Sequence, residues 1–233
     1  MKGQISGVSL GPGEPELITL KALKALQEAD VIYCPGTSTQ SRSRNILQAL
    51  SVNLDRVRLF HVPMSKDRSS ANQIYDTICA EIITLVDSGK NVAITAEGDS
   101  GFYSSVNYMF DKLISAGYPI TTIAGVPAFI AAGAISGLHI VKQEERLIVL
   151  PGIVSGEELD SLLSQKYVVV IMKLSQCTNE IHHFMQTNRQ HEFHYYENVG
   201  TPQQLHTTNH NDIIQKEFPY FSLMIIRPSK QLA

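Results

Sequence analysis

Apolar runs rich in valine and isoleucine alternate along the chain with longer segments whose apolar residues recur at helical spacing. That rhythm is expected of parallel strands covered by helices, because strands buried on both faces read as near-continuous hydrophobic runs. Four strands are predicted in the first half: QISGVSL from Gln4, ADVIYCP from Ala29, VRLFHVP from Val57 and NVAITAE from Asn91. Five follow: ITTIAG from Ile120, RLIVLPG from Arg146, YVVVIMKL from Tyr167, EFHYYENV from Glu192 and SLMIIRP from Ser222. Helices fit Pro15 to Glu28, Ser69 to Ser88, Phe102 to Ala116, Ala128 to Ser136, Gly156 to Ser164 and Cys177 to Thr187. Little helix flanks RLIVLPG and SLMIIRP, so the last strands are expected to be antiparallel. Nine strands exceed what one simple doubly wound sheet takes, and SAGYPITT, from Ser115 to Thr122, carries the glycine and proline of a break. Two α/β domains are therefore expected, residues 1–117 and 118–233.

A hydrophobic content of 43% in 233 residues suits a protein with a sizeable core. The longest apolar runs, such as YVVVIM, fall short of the roughly 18 to 20 residues of a membrane helix, and the N-terminus lacks the apolar stretch of a signal peptide. The expectation is a cytoplasmic protein with no membrane partner. Cys34, Cys79 and Cys177 are odd in number and form no CxxC pair, so they read as buried thiols rather than a disulfide framework. The net charge of −3 makes no case for nucleic acid, but its distribution is uneven. Between Thr37 and Ser70, Arg42, Arg44, Arg56, Arg58, Lys66 and Arg68 face only Asp55 and Asp67, leaving this stretch at +4 and the remainder at −7. Such a stretch is either a solvated loop and helix face or a local site for an acidic small molecule.

Ligands of open α/β sheets bind beyond the carboxyl ends of the strands, where loops lead into helices. Three such loops stand out. In GPGEP, Gly11 and Gly13 permit close backbone approach, Pro12 stiffens the turn and Pro15 suits the first position of a helix. The spacing is neither GxGxxG nor a Walker motif, so the turn alone reads equally as a plain connection. In AEGDSGFYSS, Asp99 or Ser100 would serve as an N-cap worth about 1 kcal/mol. Glu97, Gly98 and Asp99 together exceed what a cap needs, and such a loop can offer carboxylates and backbone groups to a polar or cationic ligand. In IAGVPAFIAAGAISG, small residues allow either tight helix packing or close approach of a ligand. His182, His183, His191 and His194 resemble metal-ligand spacing, but adjacent helical histidines point to different sides and no carboxylates complete the set, so no metal is expected. There is no Ser/His/Asp set and no low-pKa cysteine context for a nucleophile.

In order and spacing, GPGEPELITLKALKALQEADVIYCPG, EGDSGFYSS and AGVPAFIAAGA resemble the successive motifs of the tetrapyrrole methylases, over nearly the whole chain. AEGDSGFYS, ERLIVLPG, VVVIMKL and YFSLMIIRP are similar to segments of the branch that methylates carbon 20 of precorrin-2 or cobalt-factor II. Two departures stand out: Glu14 occupies the position of the family's usual aspartate, and Ser100 and Gly101 replace a proline and a larger residue.

The resemblance implies a fold of two α/β domains of the class III methyltransferase type, with the cofactor in the cleft between them, and a homodimer. The implied cofactor is S-adenosylmethionine, leaving as S-adenosylhomocysteine, and the implied partner is a small-molecule tetrapyrrole. Carried over by position, Pro12 would lie against the cofactor, with Glu97, Gly98, Asp99 and Phe102 around its methionine part. Pro127 and Ala128 match a small-residue contact, Met172 a methionine after a late strand, and Val199 a backbone contact near the adenine. A polycarboxylate substrate gives the +4 stretch a use: Arg42 and Arg44 follow the second strand, Lys66 and Arg68 the third, and guanidinium forks pair well with carboxylates. Lys173 is a further candidate or a solvated strand end. The alternatives are a superfamily branch acting on another corrin carbon, a modified histidine or ribosomal RNA, and a non-catalytic module that binds a tetrapyrrole or nucleotide.

Overall fold

A computed structural model describes residues 1–37, 39, 41–62 and 69–229 and divides them into two compact units, Met1–Ala128 and Phe129–Ala233. The first unit holds strands β1 (Ile5–Ser9), β2 (Val31–Pro35), β3 (Val57–Phe60), β4 (Val92–Ala96) and β5 (Ile120–Ile123). Between them run helices α1 (Leu20–Glu28), α2 (Arg42–Ala49), α3 (Ser69–Asp87) and α4 (Asn107–Ser115). All five strands pair in parallel in the order β3-β2-β4-β1-β5.

Alternation along the strands divides the core between two faces. Val8, Leu10, Ile32 and Cys34 pack with Ala22 and Leu26 of α1 and with Ile46 and Leu47 of α2. Ile5, Val31, Val92 and Ile94 pack with Ile78 and Ile82 of α3 and Met109 and Leu113 of α4. Burying a side chain the size of Ile82 contributes about 1.5–3 kcal/mol, so each layer is held by many such terms. This division fixes the site: the chain leaves β1 through α1 toward β2, and leaves β4 through α4 toward β5 on the opposite side. Because β1 and β4 are hydrogen-bonded neighbours, the connections part beyond their carboxyl ends, the kind of switch point at which open α/β sheets bind ligands.

The second unit contains helix α5 (Ala128–Ser136, whose first residue closes the first unit), β6 (Arg146–Leu150), α6 (Gly156–Ser164), β7 (Tyr167–Met172), α7 (Thr178–Thr187), β8 (Glu192–Glu197), β9 (Leu205–Thr207), α8 (His210–Ile214) and β10 (Ser222–Arg227). Its sheet runs β6-β7-β10-β8-β9, with β6 and β7 parallel and the other pairs antiparallel. Leu159, Leu163, Ile181, Phe184 and Ile213 of the helices cover Val169, Ile171, Phe193, Met224 and Ile226 of this sheet. The buried Arg227 closes one end, donating to the carbonyls of His139 and Ile140 and pairing with Glu145.

Several expectations change. The first unit extends through Ala128 rather than ending at residue 117, because β5 pairs with β1; the Gly117–Pro119 turn leads into a strand of the first sheet. Arg146–Leu150 is parallel to β7, with α6 as the crossover; β10 is antiparallel, as read from the sequence. Pro15–Leu17 forms a separate 3₁₀ turn, and α1 begins only at Leu20, where the Thr19 side chain accepts from the Ala22 N–H. The helix expected from Phe102 starts at Asn107, because residues 99–106 wind around Asp99 and Ser100. Helices α2 and α8 and strand β9 are additions. All three cysteines are free and buried. No helix among the described residues is long and apolar enough to cross a membrane.

Candidate active site

The loops after β1, β4 and β5 are locked together by backbone and carboxylate hydrogen bonds. Beyond β1 and β4 the parallel pairing gives way to an isolated antiparallel bridge: the Gly11 N–H donates to the Gly98 carbonyl at 3.1 Å, and the Gly98 N–H returns to the Gly11 carbonyl at 2.7 Å. Both glycines have positive φ, +79° and +68°, where a side chain would be strained, and this is the physical reason for glycine at each. A Cβ on Gly98 would stand 4.0 Å from the Ala128 nitrogen, so a side chain there would grow into the gap between two loops.

Asp99 is the second lock. Its Oδ2 accepts from the Gly125 N–H at 2.7 Å and its Oδ1 from the Gly101 N–H at 2.8 Å, so one carboxylate ties the loop after β4 to the loop after β5. Carboxylates holding backbone N–H groups form strong charge-assisted bonds. Ser9, at the end of β1, accepts from the Ser100 N–H at 3.0 Å, and its Oγ lies 3.3 Å from the Ser100 Oγ. Thr19 donates to the Ala124 carbonyl at 3.4 Å. Gly125 sits so close that an added Cβ would fall 2.6 Å from both the Gly98 carbonyl oxygen and the Ser9 Cβ.

The first turn of α2 reaches two of these loops. Its N-cap, Ser41, donates to the Pro35 carbonyl at 2.8 Å and accepts from the Arg44 N–H at 3.1 Å. From that turn Arg42 donates to the Pro12 carbonyl at 3.2 Å, and Ser43 donates to Glu97 Oε1 at 3.3 Å. Burial pushes the Glu97 carboxyl above its ordinary value, opposed by the charge of Arg42 and the hydrogen bond from Ser43. Burial also lowers the Arg42 guanidinium.

A carboxyl whose pKa is raised in the folded state takes up a proton on folding, so its contribution favours the folded chain in acid and weakens as pH climbs from the unfolded value of 4.5 through the folded one. Glu97→Gln, which keeps an acceptor for Ser43, is therefore expected to raise Tm at neutral pH. The gap from the unaltered protein should open as pH rises above 4.5, read by thermal melts across pH. A gap independent of pH would contradict the assignment.

Of the residues singled out in the sequence, Pro12, Glu97, Gly98, Asp99, Phe102 and Pro127 lie on these three loops, and Ala128 opens the helix that follows the third. Phe102 is exposed on the turn after Asp99, to whose carbonyl its N–H donates at 3.1 Å. Met172 and Val199 belong to the second unit. There β6, β7 and β8 run the same way, so Met172 and Val199 sit at one edge of that sheet, the edge where Lys173 adopts a positive φ of 59°. Lys66 and Arg68 lie outside the described residues. Arg56 and Arg58 are used by the scaffold: Arg56 donates to the carbonyls of Gln27 and Ala29, and Arg58 donates to Tyr33 and pairs with Glu81. Ser9, Ser43 and Gly125 escaped the sequence reading, because a lone serine or glycine carries no signal until topology supplies its partner.

The loops contain no histidine, and burial pushes the neighbouring Cys34 thiol up to about 12, far from a thiolate nucleophile. Hydrogen-bonded backbone with a half-buried carboxylate at a switch point suits binding and orientation of a small molecule with polar, partly cationic character.

The sequence pattern that defines the Tetrapyrrole (Corrin/Porphyrin) Methylases matches residues 4–212. A precorrin-2 C(20)-methyltransferase of Sinorhizobium sp is 28% identical, covering 96% of this chain and 95% of that protein. A cobalt-precorrin-2 C(20)-methyltransferase of Salmonella typhimurium is 26% identical over 75% of this chain and 74% of its own. Among solved structures, the uroporphyrin-III C-methyltransferase of Thermus thermophilus, complexed with S-adenosyl homocysteine, shares the fold with a TM-score of 0.65 at 19% identity, over 97% of each chain. With a match running from the first strand into the last helix, this chain belongs to the tetrapyrrole (corrin/porphyrin) methylases.

Proposed function

We propose that the protein transfers a methyl group from S-adenosylmethionine to carbon 20 of precorrin-2 or its cobalt-loaded counterpart, in cobalamin biosynthesis, as a cytoplasmic homodimer. The observation that carries the reading is the switch-point cradle, in which the Gly11–Gly98 bridge and the Asp99–Gly125 bond hold three loops in one geometry. The names of the relatives from Sinorhizobium sp and Salmonella typhimurium support the choice of carbon.

The residues present fit the cofactor. At Gly98 an added Cβ would meet nothing nearer than the Ala128 nitrogen at 4.0 Å, which leaves room for a ligand against bare backbone, and the half-buried Glu97 offers negative charge to a cationic group. When bound, S-adenosylmethionine supplies a sulfonium-activated methyl group. The chain's part is alignment: Gly11, Pro12 and Gly98 form the wall, Glu97 attracts the cationic end, and Asp99 keeps Gly101 and Gly125 from drifting. Alignment of this sort is worth roughly 7–11 kcal/mol of the barrier, which removes the need for a nucleophilic side chain. On the substrate side, Arg44, half-buried in the first turn of α2, is proposed to pair with a ring carboxylate, with Lys66 and Arg68 in the same role.

The test is an anaerobic assay with methyl-labelled S-adenosylmethionine and precorrin-2, with and without cobalt, reading product mass and methyl position by NMR. One added methyl at carbon 20 is the expected product, and the preferred form identifies the metal state of the substrate. Protein that binds S-adenosylhomocysteine yet methylates neither form overturns the carbon-20 reading.

A further inference from the structure

The two arginines that open α2 are two positions apart, and on a helix residues so spaced do not face each other. The structure gives Arg42 a partner on the loop after β1. Arg42 turns back against the fold, half-buried, and donates through Nη1 to the Pro12 carbonyl at 3.2 Å. Pro12 is the residue between the two glycines of the first turn, so its carbonyl reports the shape of that turn. The next residue, Ser43, is fully buried and bonds Glu97 of the loop after β4. The helix that carries both is itself fixed to β2 through Ser41 and the Pro35 carbonyl. One helical turn thus connects β2 to the loops after β1 and β4, the two loops bridged by Gly11 and Gly98.

We infer that Arg42 is a positioning residue for the cofactor site, holding the Gly11–Pro12–Gly13 turn through the Pro12 carbonyl, rather than a ligand of the substrate's carboxylates. The assignment rests on the reading of these loops as the cofactor cradle. It narrows the basic stretch: Arg42 serves the cofactor wall, Arg56 and Arg58 serve the scaffold, and Arg44 is left in this turn for the tetrapyrrole.

Two functions assigned to neighbouring arginines can be told apart by kinetics. S-adenosylhomocysteine is titrated calorimetrically into the unaltered protein and into Arg42→Ala, Arg42→Lys and Arg44→Ala, and KM is measured for S-adenosylmethionine and for precorrin-2 with each. Loss of a hydrogen bond from a charged donor is expected to weaken cofactor binding roughly tenfold or more in Arg42→Ala, with the precorrin-2 KM within about twofold. Arg42→Lys, which restores a cationic donor, should recover most of the loss, a rescue that general damage to the fold would not show. Arg44→Ala should give the reverse pattern, a raised precorrin-2 KM with unchanged cofactor binding. Cofactor affinity unchanged in Arg42→Ala, with a raised precorrin-2 KM, overturns this assignment alone and returns Arg42 to the substrate. Unaltered protein that binds no S-adenosylhomocysteine overturns the cradle reading and this assignment with it.

Discussion

Gly125→Ala is expected to lose activity by about 100-fold or more, because the added methyl cannot be placed without moving the site's own backbone. Its Cβ would stand 2.6 Å from the Gly98 carbonyl oxygen and 2.6 Å from the Ser9 Cβ, and neither is the free end of a flexible side chain. Relief requires the loop after β5 to retreat from the loop after β4, which stretches the Asp99–Gly125 bond and opens the cradle. Overpacking of this kind costs about 1–3 kcal/mol. At roughly 2–4 °C per kcal/mol for a chain of this size, Tm should fall as well. Turnover and thermal melts on the same preparation check both parts. A variant as active as the unaltered protein would show that these loops are not held in one required geometry.

Asp99→Asn separates the lock from the shape of the side chain. The aspartate accepts two backbone N–H groups, one at each oxygen, whereas an asparagine has one oxygen and would set its NH₂ against the other N–H. A hydrogen bond to a charged group contributes about 1.5–3 kcal/mol, so the expected result is roughly 10- to 100-fold weaker S-adenosylhomocysteine binding. Calorimetry reads the loss, and circular dichroism should show the secondary structure intact. Unchanged affinity would mean that the carboxylate's role ends with local turn geometry.

Much of this architecture was legible in the residues because it is locally encoded. Runs such as VIYCP, VAITA and VVVI are buried on both faces, and their composition shows it. Helix α2 is not legible in the sequence because its buried face is only Ser43, Ile46 and Leu47 in an otherwise polar stretch, too little apolar periodicity to stand out. The end of the first unit is not legible at GYP, which announces a turn but not its destination; pairing of β5 with β1, more than a hundred residues away, is not written in the turn. The site shows the same divide. Gly11 is legible because close backbone approach favours glycine, and Gly98 because it stands with Glu97 and Asp99 in one loop, while Ser9 and Gly125 matter only through partners in remote loops. The basic stretch read as one patch because charge can be counted in sequence, whereas the partners that divide its arginines between scaffold and site cannot.

Backbone amide NMR during titration with S-adenosylhomocysteine tests most directly whether the loops at the β1 and β4 ends hold the cofactor. The predicted result is that the largest shifts fall on Gly11, Gly13, Gly98, Asp99, Phe102 and Ala128, saturating together with one dissociation constant. Saturable shifts confined to another surface, such as the groove lined by Cys79, Ile83 and Lys112 between α3 and α4, with the loop amides unmoved, would contradict it.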